Sequence, residues 1–256
     1  MISQEQVRDY STAIENLFSE WRKRKNSDLH IDHSTNFIED GVICPETWFS
    51  QSIRPLFLLK EAYDGDADHA DLRKHITRLI SKDDKTPSIT LKRVAEWASG
   101  IFSTNEKTIK PFSHFETQEN ILEIFKQIAI VNIKKSNGQS SSNAEDIANY
   151  ANFDAEQLKA EITLCDPTII ICGNTGSTNS ILNTIFKENI CYTKGNPHYE
   201  ENLYYTFYLN NHMVLVLDYW HPAAISFPDL LKYYGLMGIY QQALITNKSK
   251  SQTSHL

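Results

Sequence analysis

Four segments of the sequence end in side chains that can do chemistry, and each end follows a short apolar run. These side chains supply carboxylates, amines, amides, aromatic rings and an imidazole: Lys60, Glu61, Tyr63 and Asp64; Asn132 and Lys134; Asn174 after Gly173; and Asp218, Trp220 and His221. A carboxylate or an imidazole can take part in proton transfer, and an amide offers both a hydrogen-bond donor and an acceptor. If these groups meet, they predict a pocket that binds a polar ligand or reacts with it.

The apolar runs before these side chains are predicted to be buried strands. Residues 56–59, 128–131 and 168–172 are continuous apolar runs bounded by charged or turn-forming residues, a pattern typical of strands covered on both faces. A fourth strand, 213–217, is predicted to pair with residues 203–209 through Asn210 and Asn211, because an Asn-Asn pair can form a tight hairpin turn.

Apolar residues at helical spacing lie between these strands. They predict helices over about 4–23, 72–80, 91–102, 121–125, 154–164, 181–185 and 229–244, with Asp154 as an N-cap. Strands that alternate with helices predict an α/β fold with a mostly parallel central sheet covered by helices on both faces. Parallel strands present their carboxyl ends at one end of a sheet, so we expect the four groups of side chains to meet there.

Length and composition fit one domain. The chain has 256 residues, 41% of them hydrophobic, and ends in a polar stretch. We therefore expect a single α/β domain over residues 1–245, including an N-terminal helical extension, and a disordered tail over 246–256. There is no apolar run of about 18 residues, and the N-terminus lacks a basic region followed by an apolar one. This predicts a cytoplasmic protein with no membrane partner, and the composition suits a monomer.

The cysteines and the net charge limit the kinds of partner. Cys44, Cys165, Cys172 and Cys191 show no C-x-x-C spacing, so neither a zinc site nor a disulfide framework is predicted. The formal charge of −7 argues mildly against general affinity for DNA, which depends on cationic contacts to phosphates. Local basic groups can still coexist with an acidic remainder, since the distribution of charge counts for more than its sum.

The strand-end segments resemble motifs of the uracil-DNA glycosylase superfamily. FLLKEAYDG, residues 57–65, is similar to its first motif, an apolar strand followed by a water-activating acidic loop: Glu61 matches the acid of G-E-A-P-G in the iron–sulfur branch and the aspartate of G-Q-D-P-Y-H in another branch. AIVNIKKS, residues 129–136, resembles the strand that ends in a base-reading asparagine, here Asn132, with an N-x-x-K pattern at Lys135. YWHPAAI, residues 219–225, resembles the H-P-A or H-P-S loop, with His221 as its histidine. DPTIIICGNTG, residues 166–176, is similar to the strand before that loop, so the four segments stand in family order.

The resemblance implies a uracil-DNA glycosylase-like fold and a DNA-binding hydrolase of base repair, one that flips uracil or another modified base from the stack and cuts its N-glycosidic bond. Glu61 and His221 would be catalytic: the carboxylate would orient water near the sugar, and the imidazole would donate a hydrogen bond to the departing base. Asn132 would hold the edge of the base, while Tyr63 or Trp220 would stack on it. Three lysines would contact nucleic-acid phosphates: Lys60, Lys134 and Lys135.

The sequence departs from the iron–sulfur branch, which it resembles most in motif style. Tyr63 and Asp64 replace the Pro-Gly of that motif, Lys60 replaces a Gly or Gln, and the cluster-ligating cysteines are absent at matching positions. No iron–sulfur cluster or other cofactor is therefore expected. Two alternatives stay open: the same pocket binds a nucleobase, nucleotide or nucleic acid without catalysis because Lys60 neutralises the acid, or the strand-end residues are caps and turns of a fold with an unrelated role.

Overall fold

A computed structural model describes residues 4–62, 71–81, 88–115, 118–138, 142–176, 181–191 and 203–253. The helices there, in chain order, are α1 (Gln4–Trp21), α2 (Pro45–Trp48), α3 (Leu72–Ser81), α4 (Ile89–Ser103), α5 (Gln118–Phe125), α6 (Ala144–Phe153), α7 (Ala155–Cys165), α8 (Ile181–Phe186) and α9 (Asp229–Thr253). The strands are β1 (Lys25–Asn26), β2 (Ile31–Asp32), β3 (Gly41–Val42), β4 (Pro55–Glu61), β5 (Ala129–Lys134), β6 (Ile169–Gly173), β7 (Tyr204–Leu209) and β8 (His212–Tyr219). This mixture confirms the predicted α/β class.

Six strands form the central sheet, in the order β3-β5-β4-β6-β8-β7, and β1 pairs with β2 in a separate ribbon. The four inner strands are parallel to one another. The two outer strands, β3 and β7, run antiparallel to their neighbours. The prediction of a mostly parallel sheet is confirmed, with one antiparallel strand at each edge.

Strand β4 shows why the sheet needs helices on both faces. Leu56 and Leu58 pack into a core with residues of α1, α6, α7 and α8, whereas Phe57 and Leu59 pack into a second core with residues of α3, α4, α5 and α9. All four side chains are at most 5% exposed. A strand that is apolar on both faces is stable only when both faces are covered, so the sequence of β4 demands a layer on each side.

Several elements differ from the predictions, among them β3, α6 and α9. Strand β3 and helix α6 are not predicted: β3 is only two residues long, and α6 buries only Ile147, Tyr150 and Ala151. Helix α9 runs to Thr253, so residues 246–253 are helical where a disordered tail is expected. Thr246 of that segment lies 3.0 Å, hydroxyl to hydroxyl, from Tyr204, a tertiary contact that a polar sequence does not reveal.

Two local predictions have different outcomes. Asn210 and Asn211 adopt positive φ values of 47° and 66°, which fits the tight turn predicted between β7 and β8. Asp154 stands at the N-cap of α7, but its side chain makes no capping hydrogen bond. Its carboxylate instead lies 2.8 Å from His33 Nε2 and 3.3 Å from Arg24 Nε.

Within the described residues, no helix has both the length and the apolar character needed to cross a membrane.

Candidate active site

The order of the inner strands indicates where a ligand-binding site should lie. The chain passes from β4 to β5 on one side and then to β6 on the other side of β4, so the direction of winding reverses beside β4. In open α/β sheets, ligands bind beyond the carboxyl ends of the strands at such a reversal. The predicted site residues that the structure describes lie in the second halves of β4 and β5 or directly after β5 and β8, towards this end of the sheet.

Glu61 is a nearly buried carboxylate at the end of β4. Its side chain is 5% exposed, and its Oε2 lies 3.4 Å from the Nζ of Lys134, its register partner on β5. Its Oε1 is buried and has no hydrogen-bond partner among the described residues. Gly138 closes over the side chain: a Cβ atom at Gly138 would lie 2.5 Å from Glu61 Cγ. The Gly138 N–H donates to the carbonyl of Ala62 at 2.8 Å, which fixes this approach.

Lys134 lies between two carboxylates. Its Nζ donates to Asp146 Oδ2 at 2.6 Å, in addition to its contact with Glu61, and it lies 5.3 Å from the ring centroid of Tyr150. Burial lowers the pKa of Lys134, but the hydrogen bond and charge of Asp146 and the charge of Glu61 outweigh burial, so the pKa is raised overall. Lys134 therefore stays protonated and fixes the position of Glu61.

His221 is held as a neutral hydrogen-bond donor. The backbone N–H of Ala223 donates to His221 Nδ1 at 3.1 Å, so the neutral ring carries its proton on Nε2. Burial, followed by the nearby charge of Lys60, lowers the pKa of His221 to about 4. At neutral pH the ring is therefore uncharged, and its Nε2–H makes no hydrogen bond to another described residue.

The loop that carries His221 is packed onto the end of the sheet. A Cβ atom at Gly173, the last residue of β6, would lie 2.6 Å from Leu59 Cδ2 and 3.4 Å from Pro222 Cδ. The missing side chain thus lets Pro222 rest against the ends of β6 and β4. This contact places His221 on the same end of the sheet as Glu61.

Two buried cations hold the rest of this loop, and sequence reasoning did not identify either. Arg93 of α4 donates to the carbonyls of Pro222 and Ala224 at 2.6 and 2.9 Å, and Lys232 of α9 donates to Ala224 at 2.6 Å. Both also pair with Asp229, at 2.6 and 3.0 Å. In the sequence, each of these cations stands next to large apolar residues of a helical segment, at RVAEWASGIF and again at LLKYYGLMGIY.

The structure does not leave Asn132 free to hold a base. Its backbone N–H and its side-chain Nδ2 both donate to Asp40 Oδ2, each at 2.9 Å, and the residue is 3% exposed. The amide Nδ2 that would donate to a base edge is therefore hydrogen-bonded inside the protein. This geometry favours a structural role for Asn132 over the predicted base contact.

Lys135 is likewise placed inside the core and not at a phosphate site. It is fully buried, pairs with Asp40, lies 2.6 Å from Glu161 Oε2, and is 5.2 Å from the ring of Trp21. Burial lowers the pKa of Lys135, but Asp40 and Glu161 outweigh it, so the pKa is raised. An ammonium with no solvent exposure cannot reach a phosphate of a bound strand, so the predicted contact does not fit this placement.

Three predicted residues remain: Lys60, Trp220 and Tyr63. Lys60 is partly buried, and its pKa is lowered by burial, against the smaller opposing effect of Glu61. No hydrogen bond or ion pair engages Lys60 within the described chain, and the ion pair of Glu61 is with Lys134. Trp220 is 45% exposed and stacks on Phe227, with ring centroids 4.8 Å apart. Tyr63 lies outside the described residues.

Comparison of the chain with protein-family models gave no match. A comparison with curated protein sequences gave no significant match either. Within the described residues, no cluster of three or more His, Cys, Asp or Glu side chains is arranged to hold a metal ion.

Proposed function

We propose that the protein hydrolyses the N-glycosidic bond of uracil or another modified base in DNA, with Glu61 and His221 as the catalytic residues. The observation that carries this proposal is the state of His221: a neutral imidazole whose Nδ1 accepts from Ala223 and whose Nε2–H is left to donate. A departing base gathers negative charge on a carbonyl oxygen as the bond breaks. A fixed donor stabilises that charge where it develops, and this lowers the barrier.

Glu61 supplies the second half of the reaction. The sugar becomes positively charged as the base leaves, and water must then attack it. The Oε1 atom of Glu61 has no hydrogen-bond partner among the described residues, so it can accept a hydrogen bond from that water or face the cationic sugar. Lys134 holds the other oxygen at 3.4 Å and so fixes the direction in which Oε1 points.

The test is base excision by the purified protein. Single-stranded and duplex oligonucleotides that carry uracil, hypoxanthine or an alkylated base would be incubated with the protein and then assayed for alkali-labile abasic sites. We expect abasic sites with at least one substrate, and a loss of about 100-fold or more in Glu61→Gln, because a positioned acid or base contributes on this scale. Glu123→Gln, an exposed carboxylate on α5, is the matched control and should leave the rate unchanged. Absence of abasic sites across the whole panel would contradict the proposal.

A second candidate is recognition of a nucleobase or nucleic acid without catalysis. The observation that favours it is the closure of Gly138 over Glu61, which leaves that side chain only 5% exposed and limits the approach of water. In this case neither the wild type nor Glu61→Gln would release a base, and both would bind the same nucleic-acid ligand with equal affinity. A difference in turnover between the two proteins would exclude this candidate.

A further inference from the structure

The side chain of Lys60, at the end of β4, carries an amine that the proposed reaction does not use. We infer that its Nζ forms an imine with the aldehyde of open-chain 2-deoxyribose, so that the site can hold a sugar covalently. The choice of sugar rests on the proposed function, because removal of a base from DNA leaves a deoxyribose that can open to an aldehyde. Formation of the imine can be tested whether or not the protein excises a base.

Three lysines lie at this end of the sheet, and Lys60 differs from the other two. Lys134 lies between two carboxylates, with Asp146 at 2.6 Å, and Lys135 is fully buried beside Asp40. Lys60 is partly buried at the end of its strand and makes no hydrogen bond or ion pair to another described residue. An ammonium group held between carboxylates is a poor nucleophile, so Lys60 is the lysine of the three that is placed to react.

Lys60 lies beside the loop that carries His221. Leu59, the preceding residue, packs at Gly173, where a Cβ atom would lie 2.6 Å from Leu59 Cδ2 and 3.4 Å from Pro222 Cδ. The charge of Lys60 also acts on the imidazole of His221, as expected for groups that are close together. The amine and the Nε2–H of His221 are therefore neighbours beyond the ends of the central strands.

The surroundings of Lys60 favour the reactive form of an amine. Burial lowers the pKa of Lys60, and the charge of Glu61 opposes this effect only in part. The neutral amine, and not the ammonium ion, attacks a carbonyl carbon. At a given pH a larger fraction of Lys60 is therefore reactive than of an exposed lysine, and desolvation of this kind is one way in which proteins activate lysine for imine formation.

Imine formation from an amine and an aldehyde needs no oxidant or reductant. The lone pair of Nζ attacks the aldehyde carbon, and one proton of the amine passes to the carbonyl oxygen to give a carbinolamine. The hydroxyl group then leaves as water with the second proton of the nitrogen, and a C=N bond remains. The Nε2–H of His221 can donate a hydrogen bond to the oxygen while negative charge develops there.

The amine fixes the reactive group of the ligand as an aldehyde, and this aldehyde has two sources. Free 2-deoxyribose and an abasic site in DNA present the same reactive carbon. Attack on that carbon does not depend on cations that neutralise phosphates, so the formal charge of −7 does not oppose binding of the free sugar. The experiment therefore includes both sources.

The test traps the imine by reduction. Cyanoborohydride converts an imine into a stable secondary amine, so wild-type protein would be incubated at neutral pH with this reductant and either free 2-deoxyribose or an oligonucleotide with a preformed abasic site. Peptide mass spectrometry would then locate the adduct. We expect the main adduct at Lys60 with at least one of the two sources. A reaction with the free sugar would assign a small-molecule ligand, and a reaction with the oligonucleotide alone would assign the abasic site.

Matched variants separate the amine of Lys60 from its charge. Lys60→Arg keeps a positive charge but has no amine that forms an imine, so the adduct should be lost while the melting temperature and the low pKa of His221 are retained. Lys107→Arg changes an exposed lysine and should leave the adduct at Lys60 unchanged. An equal yield of adduct in the wild type and Lys60→Arg, adducts spread over the exposed lysines, or no adduct from either source would overturn the inference.

The preformed abasic site separates imine formation from base excision. An adduct at Lys60 in a protein that excises no base would support the imine and contradict only the proposed reaction. Excision of a base without an adduct at Lys60 from either source would overturn the imine alone.

Discussion

A single backbone hydrogen bond decides what His221 can do. The N–H of Ala223 occupies Nδ1 and leaves Nε2–H as the donor, while burial and the charge of Lys60 keep the ring neutral. A neutral ring donates a hydrogen bond without holding the product base as an ion pair. Lys60 thus acts on the charge state of His221, whereas the ion-pair partner of Glu61 is Lys134.

Removal of the Lys60 charge should raise the pKa of His221. The repulsion between the two cationic groups disfavours the imidazolium, so in Lys60→Met we expect the pKa to move from about 4 part of the way towards its ordinary value of 6.5, with burial responsible for what remains. Excision by the wild type should fall only as the pH drops through about 4, and the variant should lose activity at a higher pH. An NMR titration of the imidazole and a pH–rate profile measure both effects.

Lys126→Met, at an exposed position, is the control. An unchanged titration of His221 in Lys60→Met would contradict the effect of the Lys60 charge on the pKa of His221.

At the scale of elements, the loop after β5 is fitted to the end of β4. Gly138 has no side chain where a Cβ atom would lie 2.5 Å from Glu61 Cγ, so Gly138→Ala should displace Glu61 or the loop itself. We expect excision to fall by about tenfold or more, because a small misplacement of a reacting group is costly, while the melting temperature changes little. Gly238→Ala is the matched control, since a Cβ atom there meets nothing within 4 Å. Equal rates in the wild type and Gly138→Ala would show that the position of Glu61 does not limit the reaction.

Sequence patterns predict the elements that bury continuous apolar runs and not those that depend on single contacts. Strand β4 was predictable because four successive side chains are apolar and both faces are covered. Strand β3 has two residues and is defined by its pairing with β5. Two residues are too few for an alternation of apolar and polar side chains to be recognised in the sequence. Asn132 and Lys135 both contact the carboxylate of Asp40, which is distant in sequence. No local pattern reveals this contact, so both residues were expected at a binding surface.

On the scale of the whole molecule, one buried cluster joins the sheet to α7. Lys135, Asp40 and Glu161 are each fully buried, with one ammonium facing two carboxyl groups. Burial raises the pKa of Glu161, and Asp40 adds to the rise, while Lys135 opposes it. A buried ammonium is balanced by one carboxylate, so the second carboxyl keeps its proton in the folded protein. Near it lie Tyr10 and Cys165, whose pKa values burial also raises.

This cluster should make the folded protein less stable as the pH rises. The unfolded chain releases the Glu161 proton near 4.5, whereas the folded protein holds it to higher pH, so the folded state binds more protons over that interval. The contribution is complete below 4.5 and is lost as the pH rises towards the folded pKa. Glu161→Gln keeps a neutral group at every pH, so its free energy of unfolding should fall less between pH 5 and pH 8 than that of the wild type. Urea denaturation at several pH values measures the difference.

Glu156→Gln on the same helix is the control, because the Glu156 carboxylate is exposed and its pKa is lowered by Lys187. Parallel stability profiles for the wild type and Glu161→Gln would mean that Glu161 is charged in the folded protein and that Lys135 is balanced by both carboxylates.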